Sequence, residues 1–317
     1  MNAELKRRWA TEPGHTFIEN LCRWGRSGNG FEITESPFGR VAGTGLIDLR
    51  SLVLPEHAEL RRITLRSADC TAVSLKANWI EMSVFSEVLF DEGSLHNLGE
   101  SGSAFERCSF RGANFRRSRI GYGPTRFTRC HFVRADFIQA GFVRPEFDYC
   151  SFDNCTFSGV NFNGASFERC EFRGEVRGVW FHGGFQYDSD REKYGEPRPN
   201  KMTGVSFRNA KLVDVTFSDR CDLSSVVPPD DKRQAIFDRW PERIRSVFEQ
   251  SRTWAEPFKK EGENFLKACA VHARNQDWYV IGLDTLVSMY GKESGAKIWE
   301  ALLATNQITA NNSTVMP

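Results

Sequence analysis

The residues able to do chemistry are cysteines, histidines, a few alternating acids and a dense run of arginines, and their spacing decides among them. Cys108, Cys130, Cys150 and Cys170 recur at intervals near twenty. Four thiols suit zinc only if they converge within about 2.3 Å of one ion. A repeat of this kind sets them one above another, which predicts small packing residues. Cys269 and His272 stand one helical turn apart and could share a metal, but no second pair lies near them. Asp188, Asp190 and Glu192 alternate like the start of a calcium loop and lack its glycine at the sixth position. The Gly25–Gly30 stretch has no Lys-Ser/Thr after it and is no phosphate-binding loop. The six histidines, His15, His57, His96, His131, His182 and His272, are scattered, and no Ser-His-Asp constellation is signalled. These patterns propose no catalytic residue, metal or cofactor, so the expectation is a non-enzyme. What remains is surface chemistry: residues 107–144 carry nine arginines against one acid, Asp136, and guanidinium forks can hold phosphate or carboxylate.

Whatever these residues do depends on the element that carries them. Every fifth residue from Phe127 to Phe172 is phenylalanine, ten in succession in a chain with 26 of them among 317 residues. The register extends backwards through Leu60, Leu65, Cys70, Leu75, Ile80, Phe85, Phe90, Leu95, Phe105, Phe110, Phe115 and Ile120, with Glu100 the polar exception. Gly121–Pro124 adds two residues, and the pattern returns at Phe207, Leu212 and Phe217. Such a period marks a solenoid of stacked short units. It fits neither a helix nor a flat strand, but a coil that turns a corner every five residues. A small residue two positions before most of these (Ala68, Cys108, Ala113, Cys130, Ala135, Ala140, Cys150, Cys155, Ala165, Cys170, Ala210) completes a narrow packed interior.

Ala113-Asn114-Phe115 and Ala135-Asp136-Phe137 match in full the Ala-Asp/Asn-Leu/Phe motif of the pentapeptide-repeat family, which this chain resembles over about 58–176 and 203–223. The resemblance implies a mainly β fold, a right-handed quadrilateral β-helix with four pentapeptides per coil. At twenty residues per coil the rod has about seven coils and runs for roughly 33 Å. The better-known members of the family bind bacterial type II topoisomerases (DNA gyrase) and protect them from quinolones or toxins with an acidic, DNA-like rod, so the resemblance makes gyrase one possible protein partner. This chain departs from that pattern. Residues 81–106 carry six acids and no Lys or Arg, 107–144 are basic, and 145–171 carry five acids and one arginine. Residues one coil apart pair Glu87 with Arg107, Asp91 with Arg111 and Arg126 with Glu146. Arg116, Arg117, Arg119, Arg129, Arg134 and Arg144 have no acid directly above or below, which makes them candidates for a protein partner, a nucleic acid or another polyanion.

The domain reading is 1–57 as an N-terminal cap, 58–223 as the β-helix with an inserted loop at 178–202, and 224–317 as an α-helical domain with a disordered tail after Ile308. The cap is expected to hold helices at Asn2–Trp9 and His15–Trp24 and a strand around Leu46–Leu54. The C-terminal unit is expected to hold helices at 230–240, 241–254, 264–275, 284–290 and 292–305. Within the insertion, Trp180, Phe181, Phe185, Tyr187 and Arg191 have the composition of a binding hot spot, and loops projecting from the rod matter in the gyrase-protecting relatives. The charges balance, 42 basic against 41 acidic, so no global attraction to nucleic acid or anionic lipid follows. The absence of an apolar leader or span, together with nine cysteines at mostly core positions, predicts a cytoplasmic protein with reduced thiols and no membrane contact. The function these features predict is a macromolecular binding or scaffold protein, with topoisomerase protection and polyanion binding as alternatives.

Overall fold

The computed structural model describes residues 3–271 and 276–312, with side chains as far as 305. Its body is a β-solenoid of about seven turns. Successive coils pair in parallel: Thr64 lies opposite Val84, Val84 opposite Ala104, Arg126 opposite Glu146 and Glu146 opposite Ser166, each twenty residues on. Ala104 lies opposite Arg126, where the extra two residues of the Gly121–Pro124 bulge are absorbed. The inward side chains form four columns. In one, Phe90, Phe110, Phe132, Phe152, Phe172 and Phe207 stack nearly parallel at 4.7–5.2 Å. Another runs Leu60, Ile80, Glu100, Ile120, Phe142, Phe162, Phe181 and Phe217.

Between columns the backbone turns through one residue in the left-handed region, as at Ala77, Glu87, Arg107, Arg117, Arg129, Gln139 and Tyr149. An L-residue there costs roughly 1–2 kcal/mol, so the period of five is one strained corner per pentapeptide, held by the coils above and below. The cysteine column packs as its spacing predicts and does one thing more. The thiols of Cys108, Cys130, Cys150 and Cys170 donate to the carbonyls of Phe85, Phe105, Phe127 and Phe147 in the preceding coil at 3.3–3.5 Å. Burial pushes the neighbouring Cys155 thiol up to about 12.

Glu100 occupies an aliphatic or aromatic position of its column and is fully buried. Its carboxylate accepts from Ser103 N at 2.8 Å, Gly121 N at 3.1 Å and the Thr125 hydroxyl at 2.7 Å. Two of those donors flank the bulge, so the extra residues supply the groups that make a buried carboxyl tolerable. Burial still outweighs the hydrogen bonds from Thr125, Ser103 and Gly121 and raises its pKa to about 7.

The ends differ in detail from the sequence reading. Helices α1 (Ala3–Arg7) and α2 (Glu12–Ser27) are joined by a 3₁₀ turn at Arg8–Ala10; Met1 and Asn2 lie outside the described residues. Trp24 stacks on Phe31 at 3.9 Å. Asp48 loses solvation on burial, yet hydrogen bonds from Arg8 and Arg50 hold its carboxyl far below the usual range. Parallel pairing already begins at Phe31–Ile33 and Ile47–Asp48, ahead of residue 58. Near the other end the repeat continues to His182 in one long strand, Glu171–His182, paired with Ser206–Ser218. The left-handed corners persist there at Gly174 and Gly178, but Val176 takes the next inward place only four residues after Phe172, so the count of five fails although the coil does not. Helix α3 (Asp188–Tyr194) lies inside the insertion.

Beyond the solenoid stand α4 (Trp240–Ser251), α5 (Phe258–Ala270), α6 (Leu283–Tyr290) and α7 (Lys292–Asn312). The helix expected at 230–240 is instead a strand, Gln234–Phe237, paired antiparallel with Tyr279–Gly282. Its partner lies more than forty residues on, a pairing that local periodicity cannot register. Helix α7 continues past Ile308 to Asn312; residues 313–317 of the expected disordered tail lie outside the described residues.

Two tests follow. Ala77→Gly at a left-handed corner should stabilise the protein by about 0.5–1 kcal/mol in chemical denaturation, the reverse of its effect in a helix; a loss would contradict the corner strain. Glu100, with its folded pKa raised, contributes stability that is complete below its unfolded pKa and lost as pH rises through about 7. The unfolding free energy should therefore decline by up to about 3 kcal/mol between pH 4.5 and 8. Glu100→Gln should flatten that decline, and equal pH slopes for the two proteins would assign it to other groups.

Candidate recognition surface

Beside the Glu100 column runs an outward one: Trp79, Gly99, Arg119, Gly141, Asn161, Trp180 and Thr216. A Cβ at 99 would lie 2.2 Å from the Trp79 ring, so a side chain there would have to displace that ring. Trp79 stacks with Tyr122 of the bulge at 5.8 Å, and Tyr122 meets Tyr194 of α3 at 5.8 Å. The bulge, the insertion and the C-terminal unit therefore converge on one flank of the solenoid.

The insertion packs on the rod. Gln186 N donates to Asn163 Oδ1 at 2.8 Å, and Asn163 Nδ2 donates to Asp190 at 2.7 Å. Arg198 pairs with Asp148 at 2.6 Å, and Arg144 donates to the Glu196 carbonyl at 3.2 Å. Buried Asn200 accepts from Phe167 N and donates to the His182 carbonyl. Phe185 is buried over Gly164, whose φ is +65° and where a Cβ would lie 2.5 Å from the ring.

The sequence candidates separate accordingly. Phe181 stacks between Phe162 and Phe217 with no exposed surface, so it belongs to the core and cannot meet a partner; its place in the strand to His182 explains this. Phe185 is the insertion's anchor. Trp180 and Tyr187 stay outward, 43% and 60% exposed. Arg191 pairs within the insertion, with Asp188 at 3.2 Å and Glu196 at 2.9 Å.

The arginine belt is largely occupied. Glu87–Arg107 and Arg126–Glu146 pair at 3.1 Å, and Asp91–Arg111 at 4.0 Å. Arg116 reaches diagonally to Asp136 at 2.6 Å, a pair that vertical register alone does not reveal. Arg117 donates to Gln139 Oε1, and Arg119 to the Gln139 carbonyl. Arg129 and Arg169 both lie over one exposed ring, Tyr149, at 5.7 and 5.1 Å. Arg134 alone of the six has no side-chain partner among the described residues. Exposed pairs of this kind are worth about 0–1 kcal/mol each, yet they leave few free forks and spread them over different columns.

One cluster escapes the sequence reading. His182 Nδ1 lies 2.6 Å from Asp219 Oδ2 and 2.8 Å from Ser218 Oγ, and Ser218 also donates to Asp219. The His182 contact and the Ser218 hydroxyl hold the Asp219 carboxyl below its ordinary value although burial opposes them. A catalytic triad needs serine and aspartate on opposite ring nitrogens. Here both address Nδ1, and Nε2 is buried without a partner, so Ser218 is not activated. At Cys269 burial pushes the thiol up to about 12; His272, its suggested metal partner, lies outside the described residues. Among the described residues no group of three His, Cys, Asp or Glu could hold a metal, and no helix is long and apolar enough to cross a membrane.

Between the last coil and the C-terminal unit lies a cleft of about 370 Å³, lined on one side by Trp180 and Asp214–Thr216 and on the other by Phe265, Cys269, Tyr279, Met289 and Tyr290. Trp180 thus joins the outward column to the cleft.

A solenoid with this period and these columns carries pentapeptide repeats: the family model described as pentapeptide repeats matches residues 144–174 and counts eight copies. Among solved structures the chain is similar to full-length QnrB1, a plasmid-mediated fluoroquinolone resistance protein, at 11% identity and TM-score 0.27, covering 55% of this chain and 92% of that one. It is also similar to HetL, a pentapeptide-repeat protein involved in heterocyst differentiation regulation in the cyanobacterium Nostoc, at 12% identity and TM-score 0.18, covering 60% and 93%. No curated protein sequence matches. At these scores nothing about a partner transfers.

Gly164→Ala should lift Phe185 from its seat. Limited trypsin digestion should then cut at Arg191 or Lys193 at least several-fold faster than in the wild type, with the far-ultraviolet spectrum of the solenoid retained. Unchanged cleavage would mean that Phe185 is not the anchor.

Proposed function

We propose that the chain is a non-enzymatic, cytoplasmic binding or scaffold protein that engages a protein partner through the flank bearing Trp180, Tyr187 and the cleft. The observation that carries this is the contrast between a core filled by stacked rings and one flank where three separate elements are strapped down while two large aromatics stay exposed. Exposed Trp and Tyr on a rigid frame lose little entropy on binding and are the residues that dominate interfaces. The nine unpaired cysteines support a reducing compartment.

The other two readings draw less from the geometry. Polyanion binding needs free forks on one face, and Arg116, Arg117, Arg119, Arg129 and Arg144 already have neighbours to hold them. Topoisomerase protection rests on the family resemblance, and the basic middle coils work against imitation of a phosphate backbone.

Immobilised wild type and a Trp180→Ala/Tyr187→Ala variant should be compared for capture from host lysate with mass spectrometry. A protein held by the first and lost by the second, with equal melting temperatures, is the expected outcome. Equal capture by both would sink the proposal. Binding that instead collapses steeply with salt would favour the polyanion reading.

A further inference from the structure

The top of the last coil is closed in part by the segment that follows it. Phe207 N donates to Val227 O at 2.8 Å, Val227 N to Val205 O at 2.9 Å, and Asp230 N to Arg208 O at 3.0 Å. The Gln234 side chain then imitates a strand, accepting from Leu212 N at 3.1 Å and donating to Leu212 O at 2.5 Å. Over the interior, Ile236, Trp278 and Val280 pack against the solenoid core. Above Asp214–Phe217, among the described residues, no further coil follows.

Lower coils show what those groups would do. Corner residues Arg117 and Gln139 donate their amides upward, to Ile138 O at 3.1 Å and Ser158 O at 2.9 Å. Ser118 O and Ile120 O receive Gly141 N and Val143 N from above, both at 2.9 Å. By register Asp214, Val215 and Phe217 are their equivalents, and Asp214 keeps the left-handed corner conformation at φ 52°. Among the described residues no backbone amide reaches the carbonyls of Val215 and Phe217. Asp214, Val215 and Thr216 of this edge line the floor of the cleft, and its aromatic wall stands opposite.

We propose that the cleft binds an extended peptide segment of the partner, which pairs in parallel with Asp214–Phe217 as one more rung of the solenoid and sets an apolar side chain against Phe265, Tyr279 and Tyr290. Alternating main-chain donors and acceptors along one rim are satisfied by another main chain, and the apolar wall supplies selectivity. The one acid among the cleft's lining residues, Asp214, faces Arg177 at 3.8 Å, so the segment is uncharged where it enters. This inference rests on the binding role proposed above and gives it a chemistry.

The probe is a fluorescein-labelled peptide copying residues 159–163, whose Val160–Phe162 already pairs this way two coils lower, read by fluorescence anisotropy on the full chain. Saturable binding is expected. It should weaken at least about tenfold when the amides of the peptide's two asparagines, the ones that would donate to Val215 O and Phe217 O, are methylated. It should weaken similarly with Ala268→Trp, which fills the cleft. No saturation up to the peptide's solubility limit, or equal binding of the methylated twin, would overturn the inference, and the twin does so whether or not the variant folds. If Ala268→Trp folds and still captures the partner while Trp180→Ala/Tyr187→Ala does not, the edge is unused and only this inference fails. Capture indifferent to both variants removes the binding role itself.

Discussion

Everything in this molecule is subordinate to ring-on-ring stacking at the spacing of hydrogen-bonded strands. Phe132 rests between Phe110 and Phe152 at 4.9 and 4.8 Å with planes within a few degrees of parallel. Each such contact adds about 0.5–1.5 kcal/mol to the burial of the ring. That gain is available only if every coil returns its aromatic to the same place, which requires a corner at the same residue each time. The corner costs left-handed backbone in arginine, glutamate and alanine alike, and the ladder above and below offsets it. Sequence freedom is thereby displaced to the outward positions, where charge can vary without touching the fold.

The same constraint explains which parts of the fold are legible in the amino-acid sequence. Columns, bulge and coil-to-coil salt bridges are readable because identical geometry is repeated and each position tests the last. The strand to His182 reads as loop because one unit is a residue short, which shifts the count, and Phe181, which that count sets on the surface, belongs to the core. The Gln234–Phe237 strand pairs with a segment more than forty residues on, and nothing local distinguishes it from a short amphipathic helix. Arg116–Asp136 is hidden for a third reason: long side chains reach diagonally, whereas a register argument sees only the vertical neighbour. Of the recognition surface, Trp180 and Tyr187 are legible as residue types, but their convergence with the cleft depends on tertiary contacts.

Glu100 and the bulge show how one exception is absorbed. A carboxyl in an aromatic column would be costly alone, and two added residues bring Gly121 N and the Thr125 hydroxyl over it. The same two residues carry Tyr122 outward to Trp79 and Tyr194. A polar group inside the rod and an aromatic bridge outside it are therefore products of one local lengthening, and neither could be removed without disturbing the other.

A solenoid must end, and an unpaired edge invites association with other chains. This chain seals its last coil by three different devices: a returning segment at Val227, a side-chain amide at Gln234 and a small sheet over the core. The stretch Asp214–Thr216 receives none of the three among the described residues, and its Asp214 side chain stands largely in solvent. It is set at the bottom of a cleft whose far wall belongs to another structural unit, a position that keeps large strands and second rods away while leaving room for a narrow extended chain. An edge that is merely unfinished would need no such wall; an edge reserved for a selected segment would.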